Sequence, residues 1–153
     1  MSTDKQKLLD NLRNDVYCRL GVSNIQGVGV FAIKPIPADI DPFKAVDDSC
    51  YDERTVVLTA REVQALPTRV RTLIKDFFFK NPDTDTYGVY YKGPNKMDVS
   101  YYLNHSDDPN IRLEAVDGCP FYEFRTARKI KIGEELTFDY GGNNELGITT
   151  ERS

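Results

Sequence analysis

The sequence predicts an α+β, mainly-β single domain. Three observations carry this expectation. The chain has 153 residues, enough for one domain with a core of its own. Short runs rich in β-branched and aromatic residues recur along it and outnumber the helical runs. Helical periodicity is concentrated in the middle, with no linker or internal repeat dividing the chain. Hydrophobic residues make up 40% and charged residues 29%, a balance that argues against a disordered chain.

Residues 3–13 read as a short helix, in which Thr3 and Gln6 form a capping box and Leu8, Leu9 and Leu12 a stripe. "VYCRLGVS" and "GVGVFAI" then read as two strands joined by a turn at Ser23–Gly27. "KPIPADIDP" holds three prolines in nine residues, so it is a loop or a sheet edge. A second capping box, Thr59–Glu62, starts a helix that Pro67 interrupts or restarts. Leu66, Val70, Leu73, Ile74, Phe77 and Phe78 continue it at core-facing spacing, and "NPDTD" ends it. "TYGVYYKG", "IRLEAV", "FYEFRTA" and "ELTFDY" read as strands, with turns at Asp117–Pro120 and Ile132–Glu134. From Gly142 the chain is a polar tail.

A formal charge of −4 argues against nucleic acid as the main partner, because phosphate binding needs a basic face. It permits a basic peptide. Cys18, Cys50 and Cys119 are odd in number and lack a C-x-x-C spacing, which points to free thiols in a reducing compartment. No signal segment or long apolar run is seen. The expectation is a soluble intracellular protein, nuclear or cytoplasmic, without membrane contact.

The chain has one histidine, His105, within "YYLNHSDDPN". A hydrolase triad needs a serine on a strained turn facing the base, and Ser106 simply follows His105. A metal site using Asp107 and Asp108 is less suited to that spacing than a turn is. The "NHS" sequon has no secretory context. In "QGVGVFA", Gly27 and Gly29 could let backbone amides approach a ligand, or could mark a bulge. In "GEELTFDYG", alternation places Leu136 and Phe138 on one face and Thr137 and Asp139 on the other. Tyr140 falls at the strand end.

Taken together and in this order, "GVGVFA", "NHSDDPN" and "GEELTFDYG" resemble the SET-domain protein lysine methyltransferases. The resemblance runs from about Val16 to Gly141, and Gly93 and Asn95 keep the family's upstream Gly and Asn. It implies a helical flank over 1–14, a SET domain over 15–141 with a variable insert at about 48–93, and a short tail over 142–153 without zinc-binding cysteines. The implied fold is SET-type: several small β-sheets, a helical insert, and a knot-like crossing of the "NHS" and "ELTFDY" segments. The implied activity is S-adenosylmethionine-dependent methylation of a lysine side chain in a protein, a histone tail or another basic segment. A catalytically inactive SET-like interaction module is the alternative.

By the same resemblance Tyr140 is catalytic. Gly27, Val28, Gly29, Tyr102, Asn104 and His105 bind the cofactor, His105 through its backbone rather than as an acid or base. Tyr101, Phe138 and Tyr140 contact the substrate, and no metal is used. Ser106 and Asp107 shape the turn that Asn110 seals. Phe138 occupies a position where the family varies between Phe and Tyr, and Phe implies di- or trimethylation. Two features depart from the family. "ADIDPFKA" replaces the usual Y-x-G motif, and whether Phe43 supplies the motif's ring is left open by the sequence. The tail has no aromatic residue, so a lid over the lysine channel comes from the N-terminal helix, a second subunit in a homodimer, or the substrate.

Overall fold

The computed structural model describes residues 2–47, 55–117 and 122–141. Helix α1 spans Asp4–Asn14, and Thr3 caps it by accepting a hydrogen bond from the Gln6 amide. The capping box is only half made, because the Gln6 side chain donates to Asp10 instead. The leucine stripe does not enter the core. Leu8 and Leu12 are half exposed, and α1 buries no residue. Polar contacts hold the helix: Lys7 pairs with Asp47, Asn11 donates to the Lys44 carbonyl, and Lys34 reaches the Asn14 carbonyl.

Strands β1 (Cys18–Val22) and β2 (Val28–Ala32) form the expected hairpin. The second unit starts with β3 (Thr55–Thr59), followed by α2 (Ala60–Gln64) and α3 (Thr68–Phe77). Thr59 and Glu62 form a complete capping box on α2. Those hydrogen bonds hold the Glu62 carboxyl below its ordinary value. Pro67 ends one helix and begins the next, since its ring cannot sit within a continuous one.

The helix predicted to run to the "NPDTD" turn stops at Phe77. Phe78 is extended, and Phe79–Asn81 form β4. Strand β5 (Thr86–Tyr90) pairs with both β3 and β4, giving a three-stranded antiparallel sheet in the order β3-β5-β4. This sheet and the two helices enclose their own small core of Val63, Ile74, Phe78, Tyr87 and Val89.

Two short 3-10 turns at Pro94–Lys96 and Val99–Tyr102 lead into β6 (Asn104–His105). Strands β7 (Ile111–Ala115), β8 (Tyr122–Thr126) and β9 (Glu135–Phe138) complete the fold. The expected turn at Asp117–Pro120 lies partly, and the polar tail wholly, outside the described residues.

The larger sheet runs β1-β2-β9-β7-β8, with β6 also paired to β9. The last strand in sequence therefore lies among strands made much earlier. It is antiparallel to β2 and parallel to β6 and β7. This is the crossing of the "NHS" and "ELTFDY" segments. Because β9 is internal, the expected alternation fails: Leu136, Thr137 and Phe138 are all buried. The main core gathers Val30, Ile36, Leu103, Ile111, Ile130, Leu136 and Phe138 around this strand. Ile36 belongs to the proline-rich loop and bridges to Ile130, so that loop seals one side of the core.

Candidate active site

The site forms where β9 meets β6 and the β1–β2 turn. Asn104 pairs with Thr137 and His105 with Phe138, and the Ser106 amide donates to the Phe138 carbonyl. Beyond β9 the chain turns back, and Tyr140 comes to rest on the same segment. Its hydroxyl donates to the Leu103 carbonyl at 2.6 Å. Its backbone amide donates to His105 Nδ1 at 3.1 Å, and the two rings lie 5.3 Å apart. Since Nδ1 accepts, the imidazole proton is on Nε2, which faces Asp107 at 2.9 Å. The His105 ring thus fixes Tyr140 and the turn. Asn110, buried, extends the ladder by accepting from the Thr137 amide and donating to the Glu135 carbonyl.

Asn104 is fully buried. Its amide nitrogen donates to the Gln26 carbonyl at 3.0 Å, the Val28 carbonyl at 3.2 Å and Glu135 Oε1 at 2.8 Å. Three oxygens around Nδ2 fix the orientation of the amide. Its Oδ1 then points away and has no partner among the described residues. An unpaired buried oxygen costs about 1–3 kcal/mol. A cationic amine would satisfy it, and S-adenosylmethionine carries one on its methionine part. The residues present therefore fit that cofactor.

The two glycines of "GVG" serve different needs. Gly27 has φ +47°, where a side chain would be strained, and has open space around it. Gly29 has no such backbone. A Cβ there would lie 2.2 Å from Glu135 Oε1 and 3.1 Å from Ser23 Cβ. The first allows the turn and close approach, and the second makes room for a carboxylate. Val28 between them is partly exposed and supplies the carbonyl that Asn104 contacts.

Phe138 is 3% exposed and lies in a ring cluster, 5.4 Å from Phe124, 6.3 Å from Phe79 and 6.2 Å from Tyr140. Phe43, from the segment in place of the Y-x-G motif, packs edge-on against Phe124 at 6.0 Å. Salt bridges anchor that segment: Arg112 binds Asp39 and Glu114, while Arg125 donates to the Asp39 carbonyl. The Arg112 hydrogen bond and charge hold the Asp39 carboxyl below its usual value. Tyr102 packs on Phe77 at 5.9 Å and Tyr101 on Phe78 at 5.5 Å, so this pair ties the site's strand to the second unit.

Among the described residues, no group of three or more His, Cys, Asp or Glu is placed to hold a metal, and no helix is long and apolar enough to cross a membrane. Sequence reasoning missed Glu135, Ser23 and the Leu103 carbonyl. Glu135 had a signal, a carboxylate opening a strand rich in apolar residues. The Leu103 carbonyl had none, since backbone groups leave no mark in composition.

An internal C-terminal strand carrying a tyrosine back onto an Asn-His strand, beside a glycine turn, defines a SET-type protein. The SET domain family model matches residues 27–141, and the chain belongs to that family. Histone-lysine N-methyltransferase Su(var)3-9 of Drosophila pseudoobscura pseudoobscura is 27% identical over 147 residues, covering 88% of this chain and 21% of that protein. Histone-lysine N-methyltransferase SUV39H2 of Gallus gallus is 26% identical over 140 residues, covering 88% and 32%. The chain thus spans about a fifth to a third of these relatives' length. Among solved structures, a humanized mutant of the Chaetomium thermophilum Polycomb Repressive Complex 2 bound to the inhibitor GSK126 superposes with a TM-score of 0.52 at 23% identity. It covers 84% of this chain and 15% of that one, a likeness of fold.

Proposed function

We propose that this protein is an S-adenosylmethionine-dependent protein-lysine N-methyltransferase acting on a basic segment such as a histone tail. The observation that carries the reading is the Tyr140 hydroxyl held on the Leu103 carbonyl, one residue from the buried Asn104 with its unpaired oxygen. Family membership supports it, as does similarity to proteins named as histone-lysine methyltransferases.

The cofactor, when bound, supplies a methyl group already activated on a sulfonium. What the chain must do is align and exclude. Asn104 Oδ1, the Val28 segment, the Tyr102 region and the His105 backbone would hold the cofactor, with Gly27 leaving room. Tyr140 has committed its proton to Leu103, so its oxygen presents only lone pairs. Such an oxygen accepts from the lysine amine and from polarised C–H groups, and it cannot act as an acid while so bound. The aromatic cluster around Phe138 keeps water out and disfavours the ammonium form of a lysine beside it. The lysine releases its proton to solvent as it enters; a remaining N–H then points at the Tyr140 oxygen, which leaves the freed lone pair available for the methyl group. Tyr101 and Phe138 contact the substrate. Alignment of this kind supplies about 7–11 kcal/mol of a barrier.

Labelled methyl transfer onto histone and lysate protein tests the proposal, with Tyr140→Phe as control. Tyr140→Phe should lower kcat about 100-fold or more, the size seen when one oriented polar group is removed from a reacting centre. Transfer that proceeds equally in the variant refutes the role of Tyr140. No transfer onto any lysate protein by the wild type, with S-adenosylhomocysteine still bound, favours the inactive interaction module.

A further inference from the structure

We infer that Glu135 is a positioning residue that orders the cofactor half of the site. The inference rests on the function proposed above. Glu135 opens β9 and pairs across to Phe31 of β2. Its carboxylate lies in the space that Gly29 leaves by having no side chain. From there it accepts from the Ser23 hydroxyl at 2.8 and 2.9 Å and from Asn104 Nδ2 at 2.8 Å.

Ser23 Oγ has a second task. It accepts from the Ile25 amide at 2.9 Å and the Gln26 amide at 3.3 Å, so it shapes the turn that presents Gly27 and Val28. The Ser23 proton goes to Glu135, and its lone pairs go to the turn. One carboxylate therefore links the glycine turn, the Asn-His strand and the tyrosine strand.

The link to Asn104 sets which way that amide faces. The Gln26 and Val28 carbonyls already favour nitrogen on their side. Glu135 adds the shortest contact and the only formal charge among the three. Reversing the amide would set Oδ1 against three oxygens. Glu135 thus keeps Oδ1 uncommitted until an amine donor arrives. Removing it leaves only the two carbonyls to hold the amide and lets the glycine turn loosen, which weakens binding without touching the reacting atoms.

Two measurements on the whole chain test this. The first is hydrogen exchange of the Ile25 and Gln26 amides in the protein without ligand. The second is calorimetric titration with S-adenosylhomocysteine. In Glu135→Ala the two amides should exchange about tenfold faster and the dissociation constant should rise about 10- to 100-fold. Glu135→Gln is the milder variant: its carbonyl can still accept from Asn104, so it should recover most of the affinity while Ser23 loses part of its anchor. Ser23→Ala should accelerate the amides with a smaller change in affinity. The peptide KM should stay within about twofold of wild type in Glu135→Gln, because no substrate contact is removed. Unchanged amide exchange and wild-type affinity in a folded Glu135→Ala overturn this assignment alone. Failure of the wild type to bind S-adenosylhomocysteine overturns the cofactor reading, and this assignment with it.

Discussion

Replacing Gly29 by alanine tests why the second glycine of "GVG" is there. Its backbone is ordinary strand, so the cost cannot come from φ. It comes from the Cβ, which would lie 2.2 Å from Glu135 Oε1 and 2.9 Å from its Cδ. The carboxylate must swing away, and it then loses the Ser23 and Asn104 contacts. Hydrogen bonds to a charged acceptor are worth about 1.5–3 kcal/mol each, so with partial solvent access the sum comes to about 2–4 kcal/mol. For a chain of this size that lowers Tm by about 5–15 °C. The decisive assay is a double-mutant cycle by urea unfolding. With Glu135 already alanine the obstacle is gone, and only the 3.1 Å approach to Ser23 Cβ remains. Gly29→Ala should then cost about 1 kcal/mol or less, a coupling of about 2 kcal/mol. Strict additivity would refute the steric account. Gly27→Ala is the contrast: its cost of about 1–2 kcal/mol comes from the left-handed backbone and should persist in either background.

Three further expectations follow from the packing. Phe138→Tyr places a hydroxyl within the ring cluster, and mass spectrometry of a methylated peptide should show the product shift towards monomethyl-lysine; an unchanged product ladder contradicts this. Burial and the nearby Asp41 push the Cys18 thiol up to about 12. At pH 8 its thiolate fraction falls about a thousandfold, greater nucleophilicity recovers about twentyfold, and a disulfide probe should label it about 50-fold more slowly than in urea. Peptide mapping would distinguish it from Cys50 and Cys119. Asp39 and Glu134 are held below their ordinary values, first by hydrogen bonds from Arg112 and Arg128. Their stabilisation is fully present above the ordinary carboxylate range and is lost as pH falls through the lower folded values. Thermal melts should therefore decline below about pH 4, and less steeply in Asp39→Asn.

Legibility in the sequence followed how local each cause was. Thr59 and Glu62 announced α2, since a capping box needs only neighbouring residues. The β1–β2 hairpin and the strand near Leu136 were legible for the same reason. Strand β3 was passed over because "TVVLT" runs directly into a helix cap, and β4 because three consecutive phenylalanines extend a helical stripe as readily as they start a strand. What separates them is the partner β5, which pairs with both. The outward leucines of α1 defeat amphipathic reasoning, because polar contacts, not burial, hold that helix. In the site, Asn104, His105 and Tyr140 stood out in the motifs. Glu135 left only the weak mark of a carboxylate opening an apolar strand, because its importance arises from a vacancy at Gly29, more than a hundred residues away.

The placement of β9 also bears on how the molecule comes into being. Val30 meets Leu136, so the sheet's middle cannot close until almost the whole domain has left the ribosome. Every contact that steadies Asn104 from the tyrosine side waits for that moment. A nascent chain can form its hairpin and its second unit early, while the site around Asn104 stays unassembled. The site can be complete only once β9 has taken its place between β2 and β7.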